Sequence, residues 1–330
     1  MVKIVFWDNC LNERGTTTTL FNYAYYNKKI LGNESIIMYN TSRTDNVSEV
    51  IELFKKEFTV IGVSNFKLVD PILVNLKCNI FYITKAGENE GQISKVCKTV
   101  VHCVFNCNQP HGNVYAGISQ FIKGYKRKVP IVPYMINLPD HNKNMREELN
   151  IPEDAVVYGR YGGYDAFDIP YVHKIVYNVA KNNSEIYFIF MNTELFCASL
   201  PNIIHIEKTI DLNKKVEFIN TCDAMLHARH IGESFGLAIA EFSTKNKPIV
   251  TTPNFKLNPN VDVAHIYFLK EKGIWYNEDN LYSILTTFLT KENRNEVSKK
   301  DWNAFKEYTP EKVIKQFKRV FIDYTDQKEK

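Results

Sequence analysis

Two glutamates separated by seven residues are the strongest chemical signal in the sequence. Glu233 lies in a polar loop that follows a buried apolar run, and Glu241 lies in a helical stretch that begins near Gly236. The unpaired backbone N–H groups of a helix start attract anions, and a glycine there lets a ligand approach the backbone closely. Two carboxylates on either side of such a helix start suit a ligand with hydroxyl groups at both ends and a diphosphate between them. The sequence therefore predicts a site for a nucleotide-sugar.

Short β-rich runs alternate with helical patterns along the chain, and these elements must position the two glutamates. Such alternation is typical of doubly wound parallel sheets, so the predicted fold class is α/β. We predict strands at residues 3–7, 35–39, 58–64, 80–84, 99–105, 131–133, 156–159, 186–191, 203–206, 224–227 and 248–252. We predict helices at residues 16–30, 66–76, 171–181, 212–220 and 236–245.

The chain divides at a polar segment rich in proline and asparagine, residues 137–144. This segment is typical of a linker and predicts two Rossmann-like domains, over residues 1–139 and 140–309. Apolar residues recur on one face of residues 310–324, as in an amphipathic helix, and we expect residues 310–330 to return toward the first domain. Ligands bind at the carboxyl ends of the strands in such sheets, so we expect the site in a cleft that both domains face.

The segment with the two glutamates resembles the signature of retaining glycosyltransferases of the GT-B fold, especially glycosyltransferase family 4. The motif residues are Glu233, Ser234, Phe235, Gly236, Leu237 and Glu241. The strand predicted after them, with the sequence Lys-Pro-Ile-Val-Thr-Thr at residues 247–252, is similar to the one in that family. Residues 151–160 also resemble a strand of the family that ends in Gly-Arg. The first half of the chain resembles the family only in topology.

The resemblance implies a role for each matching position. Arg160 is expected to bind the donor diphosphate, since a guanidinium can donate two hydrogen bonds to phosphate oxygens and stays charged. Glu241 is expected to accept hydrogen bonds from the ribose, and Glu233 is expected to hold hydroxyl groups of the transferred sugar. The backbone N–H groups of residues 235–237 are expected beside that sugar site, and Ser234 takes the place of a glycine of the family.

One position departs from the family. A lysine that binds the phosphates usually follows the arginine after a few residues, but Asp165 stands there. Either another cation replaces this lysine, or Gly162 and Gly163 donate backbone N–H groups to the phosphates.

Two residues of the first half are further candidates for the donor and acceptor site. Gly15 lies in the loop between the first predicted strand and helix, where the family often has glycines, and an ordinary turn explains it equally well. His102 lies near the end of the strand predicted at residues 99–105. The family often has a histidine there, so His102 joins Glu233 and Arg160 as a candidate catalytic residue that contacts the sugar or positions the acceptor. A histidine buried in the core is the alternative.

Composition and charge exclude several classes of protein. The chain has 330 residues, 45% hydrophobic and 24% charged, and these fractions exclude disordered and collagen-like proteins. A net charge of +4 is too small for this length to indicate nucleic-acid binding. The longest apolar runs are too short to cross a membrane. The apolar run after Met1 is too short for a secretory signal, and the seven cysteines are an odd number, so we expect a cytoplasmic protein.

The cations are 33 lysines and only 8 arginines, a bias that is typical of AT-rich genomes. We therefore expect a viral or microbial source, and the host cytoplasm in the viral case. A metal site is not expected, because no Asp-x-Asp sequence occurs. His102, Cys103, Cys107 and His111 could include zinc ligands, but alternation along a strand would place the first two on opposite faces.

The interpretation that accounts for these features is a metal-independent retaining glycosyltransferase, similar to hexosyltransferases. It would use a UDP- or GDP-sugar as donor substrate, without a cofactor, and the acceptor would be a glycan, a protein or a small molecule. Two alternatives stay open. One is a GT-B epimerase or phosphorylase, and the other is a catalytically silent protein of this fold that binds a nucleotide-sugar or nucleic acid.

Overall fold

The structure, a computed structural model, describes residues 1–125, 129–253 and 262–324. The chain forms two compact units. The first unit consists of Met1–Asn137 together with the chain from Glu307 onward, and the second consists of Leu138–Lys306. Within the described ranges, no helix is long and apolar enough to span a membrane.

The first unit is built on a parallel sheet of six strands. The strands are β1 (Lys3–Asp8), β2 (Glu34–Asn40), β3 (Thr59–Val63), β4 (Ile80–Lys85), β5 (Lys98–Cys103) and β6 (Val114–Gly117). Their order in the sheet is β3-β2-β1-β4-β5-β6. The connecting helices are α1 (Gly15–Lys29), α2 (Ser48–Lys55) and α3 (Val69–Asn75). The central strands are almost continuously buried, as is typical of parallel sheets covered by helices on both faces.

The second unit repeats this architecture. Its parallel sheet contains β7 (Val156–Tyr161), β8 (Ile186–Met191), β9 (Ile203–Ile206), β10 (Ala224–Leu226), β12 (Ile249–Thr251) and β14 (Gly273–Trp275). Their order is β14-β12-β10-β7-β8-β9. Two short strands, β11 (Gly232–Glu233) and β13 (Asp262–Val263), pair separately in parallel. The helices are α4 (Pro170–Asn182), α5 (Leu212–Thr221), α6 (Leu237–Thr244), α7 (Ala264–Leu269), α8 (Leu281–Thr287) and α9 (Arg294–Ser298).

The last helix, α10 (Pro310–Phe317), packs on the first unit. The ring of Phe317 is fully buried and stacks on Tyr23, with 5.3 Å between the ring centroids, and on Phe6, with 6.1 Å. The side chain of Gln316 donates a hydrogen bond to the carbonyl oxygen of Ile131. These contacts and the two sheets confirm the predicted α/β fold with a C-terminal helix that packs back on the first domain.

Two predicted elements were wrong in detail. Residues 131–133 do not form a strand, and only an isolated bridge joins Ile131 to Gly117. Pro130 precedes this segment and Pro133 is its last residue, and neither has the N–H group that a strand needs. The helix predicted at residues 66–76 begins as a 3₁₀ turn and becomes helical only at Val69.

The prediction also ran past the end of the last helix and missed several short elements. The α-helix ends at Phe317 and continues as a π-helical turn, Lys318–Ile322, instead of running to residue 324. The elements that the sequence analysis did not predict are α2, α7, α8, α9, β6, β11, β13 and β14. All are short, with at most eight residues in a helix and four in a strand, so none provides enough turns or alternations for a clear periodic pattern.

Candidate active site

The candidate site of the second unit lies at the carboxyl ends of β7 and β10. These strands pair in parallel, with Ala224 beside Tyr158 and Met225 beside Gly159. The chain continues from β7 to β8 and β9 on one side of the sheet and places β10, β12 and β14 on the other. Open α/β sheets bind ligands at the carboxyl edge of such a switch point. Arg160, the penultimate residue of β7, lies at this edge.

Arg160 is buried, with 4% of its surface exposed, and neighbouring groups orient its guanidinium. Its Nη1 donates to Oγ1 of Thr193 at 2.6 Å, and its Nη2 donates to the carbonyl oxygen of Gly163 at 2.8 Å. Burial lowers the pKa of Arg160 to about 10, and the nearby Glu233 carboxylate opposes that change. A guanidinium with this pKa stays charged at neutral pH, so the site holds a fixed positive charge.

Glu233 is held between a histidine and an arginine. Its Oε1 accepts a hydrogen bond from Nε2 of His227 at 3.2 Å, and its Oε2 accepts one from Nη1 of Arg229 at 3.0 Å. Burial alone would raise the pKa of this carboxyl group, but the hydrogen bond from His227 and the charge of Arg229 lower it to about 2. Glu233 is therefore ionised at neutral pH. Because 18% of its side chain is exposed, its carboxylate oxygens can accept further hydrogen bonds.

Two histidines that the sequence analysis did not identify lie next to this glutamate. His227 follows β10 directly, and its Nδ1 lies 2.8 Å from Oγ1 of Thr251. The ring of His265, in α7, lies 5.3 Å from that of His227. Nε2 of His265 donates to the carbonyl oxygen of Thr252 at 3.1 Å, while no described residue hydrogen-bonds its buried Nδ1. Burial and the His227 ring lower the pKa of His265 to about 4, so at neutral pH this Nδ1 is an acceptor.

The first turn of α6 can offer backbone N–H groups to a ligand. Gly236 has a φ of +84°, in the left-handed region that glycine adopts without strain. No side chain of the described residues caps this helix, and the N–H groups of its first turn have no partner inside it. Ser234 and Leu237 are half-buried. Phe235 is fully buried, and its ring packs edge-on against Phe268 at 5.4 Å, so its side chain belongs to the core.

Glu241 lies on α6 and is already bound by two side chains. The hydroxyl of Tyr161 donates to its Oε2, and Nζ of Lys215 lies 3.2 Å from its Oε1. Only 4% of Glu241 is exposed. Because an ionised carboxylate can accept about four hydrogen bonds, these contacts orient Glu241 and still leave it acceptor capacity.

The first unit has its own polar group at the corresponding edge of its sheet. Asp8 ends β1 and accepts a hydrogen bond from Oγ1 of Thr17 at 2.9 Å. Burial raises the pKa of Asp8 to about 6, against the hydrogen bond from Thr17. Gly15 is the exposed first residue of α1, two residues before this threonine. The sequence analysis singled out Gly15 and missed Asp8, although an acidic residue directly after a buried strand was a visible signal.

His102 lies inside the first unit. Its Nδ1 lies 2.6 Å from the hydroxyl of Tyr82, and its Nε2 lies 2.8 Å from the carbonyl oxygen of Val132. Because the carbonyl can only accept, Nε2 carries the proton, and Nδ1 accepts from the tyrosine. Burial lowers the pKa of His102 to about 3, and its ring packs against Phe321 at 5.1 Å. Both ring nitrogens thus hydrogen-bond within the core, as expected if His102 is a buried core histidine. Its role in catalysis stays a prediction.

The possible zinc ligands of the sequence do not converge. The nitrogens of His102 bind core groups, whereas the Sγ atoms of Cys103 and Cys107 lie 3.1 Å from each other. Across residues 1–125, 129–253 and 262–324, no three His, Cys, Asp or Glu side chains form a group that could hold a metal ion.

Solved structures match nearly the whole chain, although no family model and no curated protein matches the sequence. TarM of S. aureus has a TM-score of 0.70 at 10% identity, over 98% of this chain and 100% of that chain. A putative UDP-N-acetylglucosamine 2-epimerase from Listeria monocytogenes has a TM-score of 0.60 at 10% identity, over 99% and 98%. A glycosyltransferase involved in avilamycin A biosynthesis has a TM-score of 0.57 at 10% identity, over 98% and 99%. These matches confirm the GT-B fold that the sequence resemblance predicted.

Proposed function

We propose that this GT-B protein is a retaining glycosyltransferase that transfers a hexose from a UDP- or GDP-sugar to an acceptor hydroxyl. The observation that carries the proposal is the Glu233 carboxylate, which His227 and Arg229 hold ionised within the electrostatic reach of Arg160. A carboxylate that can accept sugar hydroxyls beside a guanidinium that can bind phosphate suits the two parts of a nucleotide-sugar. The structures of TarM and MnaA from S. aureus, which share the fold, contain UDP, and this supports a nucleotide-sugar donor.

Each part of the donor has a candidate partner. Arg160 and the uncapped N–H groups at the start of α6 would bind the diphosphate. Glu233 would accept hydrogen bonds from the transferred sugar, and Glu241, oriented by Tyr161 and Lys215, would accept them from the ribose. Ser234 and the backbone around Gly236 would line the space between sugar and phosphate.

The proposed reaction occurs on one face of the sugar. The bond between the anomeric carbon and the phosphate oxygen breaks while the acceptor oxygen bonds to the same face, so the configuration is retained. The acceptor proton passes to the departing phosphate oxygen. Arg160 and the backbone N–H groups at the start of α6 stabilise the negative charge that accumulates on this oxygen. In this proposal the protein contributes preorganised electrostatics, and the reaction needs no metal ion.

The test is donor turnover by two variants. Glu233→Gln keeps the shape of the side chain and removes its charge, and Arg160→Ala removes the buried cation. We expect each to lower kcat for donor hydrolysis or transfer by about 10²–10³-fold, the typical effect of losing one preorganised group. The measurement is release of UDP or GDP from a panel of nucleotide-sugars by the purified full chain.

A matched control separates chemistry from folding. Glu296 is exposed and pairs only with Lys299 three residues on, so Glu296→Gln makes the same chemical change away from the site and should turn over the donor normally. Normal turnover by Glu233→Gln and Arg160→Ala, with thermal unfolding like that of wild type, would contradict the proposal. An epimerised nucleotide-sugar in place of free nucleotide would assign the chain to the epimerases, and binding without turnover would make it a silent binding protein.

The acceptor and the setting belong to the same proposal. A glycan, a protein or a small molecule would supply the acceptor hydroxyl. We propose a cytoplasmic location, and the seven cysteines, all of them free, support a reducing compartment. The lysine bias supports a viral or microbial source.

A further inference from the structure

The candidate site holds two guanidinium groups, and the proposed function uses only Arg160. The second, Arg229, lies in the loop between β10 and β11 and donates from Nη1 to Glu233. We propose that Arg229 is the second cation that binds the donor diphosphate, in place of the lysine that related enzymes have where this chain has Asp165. This inference rests on the proposed function, and it concerns which residue performs one part of it.

Arg160 alone has limited capacity for a ligand. Its Nη1 is committed to Thr193 and to the carbonyl oxygen of Asn192, and its Nη2 to the carbonyl oxygen of Gly163. Arg229 is in the opposite situation. Among the described residues its guanidinium hydrogen-bonds Glu233, at 3.0 Å, and 27% of its side chain is exposed. Its other N–H groups are therefore accessible to a ligand at the same edge of the sheet.

The backbone beside Arg229 is anchored at this edge. The N–H of His230 donates to Oδ1 of Asp168 at 2.6 Å, and the N–H of Asp168 donates to the carbonyl oxygen of Ala228 at 3.2 Å. Asp168 belongs to the loop that follows β7, the strand of Arg160. The residues on both sides of Arg229 are thus tied to the loop of the first guanidinium, and Arg229 can bind a phosphate with the N–H groups that it does not use on Glu233.

The two guanidinium groups of the site interact with each other. Arg229 is close enough to Arg160 to oppose its protonation, which the carboxylates of Glu233, Asp168 and Asp165 favour. Asp165, at the position of the missing lysine, is exposed. A diphosphate placed between the two guanidinium groups would neutralise both, and Arg fork geometry suits such bidentate contacts. Two guanidinium groups near each other at a switch point thus suit a ligand with two negative charges.

The test compares nucleotide binding with nucleoside binding, because only the nucleotide carries the diphosphate. The probe is UDP, or GDP if wild type prefers it, with uridine or guanosine as the matched nucleoside, and calorimetry gives Kd. We expect Arg229→Gln to weaken UDP binding by about 10–100-fold, the effect of losing hydrogen bonds to a charged group, and to leave nucleoside binding unchanged. Arg294→Gln is the control, since Arg294 binds Asp223 and the carbonyl oxygen of Ala155 at the opposite end of β7.

The use of UDP also separates binding from positioning. UDP has no sugar, so a variant that only misplaces Glu233 would bind UDP as wild type does and lose affinity only for the UDP-sugar. That result would overturn the inference, as would unchanged UDP binding. If Arg229→Gln does not fold, Arg229→Lys decides: weaker UDP binding supports the inference, and unchanged binding overturns it. A wild type that binds neither UDP nor GDP would overturn the proposed function, and this inference with it.

A rescue gives an independent result. Asp165→Lys restores the lysine of related enzymes, so the double variant with Arg229→Gln should bind UDP about tenfold more tightly than Arg229→Gln alone. If the double variant binds UDP no more tightly than Arg229→Gln alone, residues 165 and 229 do not contact the same phosphates. That result would overturn the proposal that Arg229 replaces the lysine.

Discussion

The carboxyl group of Asp8 leads to a prediction about stability. It ends β1 in the first unit, where burial raises its pKa from 3.8 to about 6. At neutral pH the Asp8 carboxylate is therefore less stable in the folded protein than in the unfolded chain, where water solvates it. We predict that Asp8→Asn, which removes the charge and keeps an oxygen for the hydrogen bond from Thr17, stabilises the first unit at neutral pH.

The magnitude follows from the pKa. A rise from 3.8 to about 6 corresponds to about 3 kcal/mol at pH values above the folded pKa. Part of this gain is lost, because the hydrogen bond from Thr17 to a neutral amide is weaker than the one to a carboxylate. We therefore expect Asp8→Asn to raise the free energy of unfolding by about 1–2 kcal/mol at pH 7.5.

The dependence on pH has a definite sign. Because the folded pKa lies above the unfolded one, the wild type gains stability as the pH falls from above 6 toward 3.8. The advantage of Asp8→Asn should therefore shrink by about 1.4 kcal/mol between pH 7.5 and pH 5 and be close to zero at pH 5. Unfolding in urea is measured at both pH values by hydrogen–deuterium exchange of peptides from β1. This gives the free energy of unfolding of the first unit separately from that of the second.

A second aspartate in the same unit provides the matched control. Arg43 binds Asp45 and lowers the pKa of that carboxyl group to about 2, so Asp45→Asn should destabilise the unit or leave it unchanged. If Asp8→Asn destabilises the protein at pH 7.5, or if its effect is the same at pH 5, burial does not raise the pKa of Asp8 and the reasoning is refuted.

Two further substitutions test the packing around the candidate site and the C-terminal helix. Tyr161→Phe removes the hydroxyl that orients Glu241 and keeps the ring, so calorimetry should show UDP binding weakened by about 5–10-fold with normal thermal unfolding; unchanged affinity would mean that this contact does not prepare the site. Phe317→Ala leaves a cavity beside Tyr23 and should lower the stability of the first unit by about 3–5 kcal/mol. Exchange of β1 peptides in urea would show this loss, and equal losses in peptides from β7 would contradict it.

The fold could be predicted from the sequence, and so could the site residues that lie in a recognisable local motif. The alternation of apolar runs identified most strands of both sheets, because a strand of a buried parallel sheet is apolar on both faces. Arg160 and Glu233 were found because their segments resemble motifs of a known family, and Glu233 also because its spacing from Glu241 suits a ligand site. In the structure Arg160 lies in β7 and Glu233 in β11, and the Glu233 carboxylate is close enough to Arg160 to favour its charge.

The residues that complete the site depend on contacts that no local pattern encodes. Arg229 and Glu233 are four residues apart, a spacing that brings side chains together in a helix, but here they meet across a loop. His265 lies near Glu233 because a ladder of only two residues, β11 with β13, joins their segments. His102 could be a core or a site residue, and the partners that use its nitrogens, Tyr82 and Val132, come from distant parts of the chain.

The contacts of α10 with the first unit also affect the order of events during synthesis. The first unit is begun at Met1 but completed only by the chain from Glu307 onward. On the ribosome, all of Leu138–Lys306 emerges before Phe317 can cover Tyr23 and Phe6. We therefore expect the second unit to fold first, while the nascent first unit keeps an uncovered aromatic surface that chaperones can bind until translation ends.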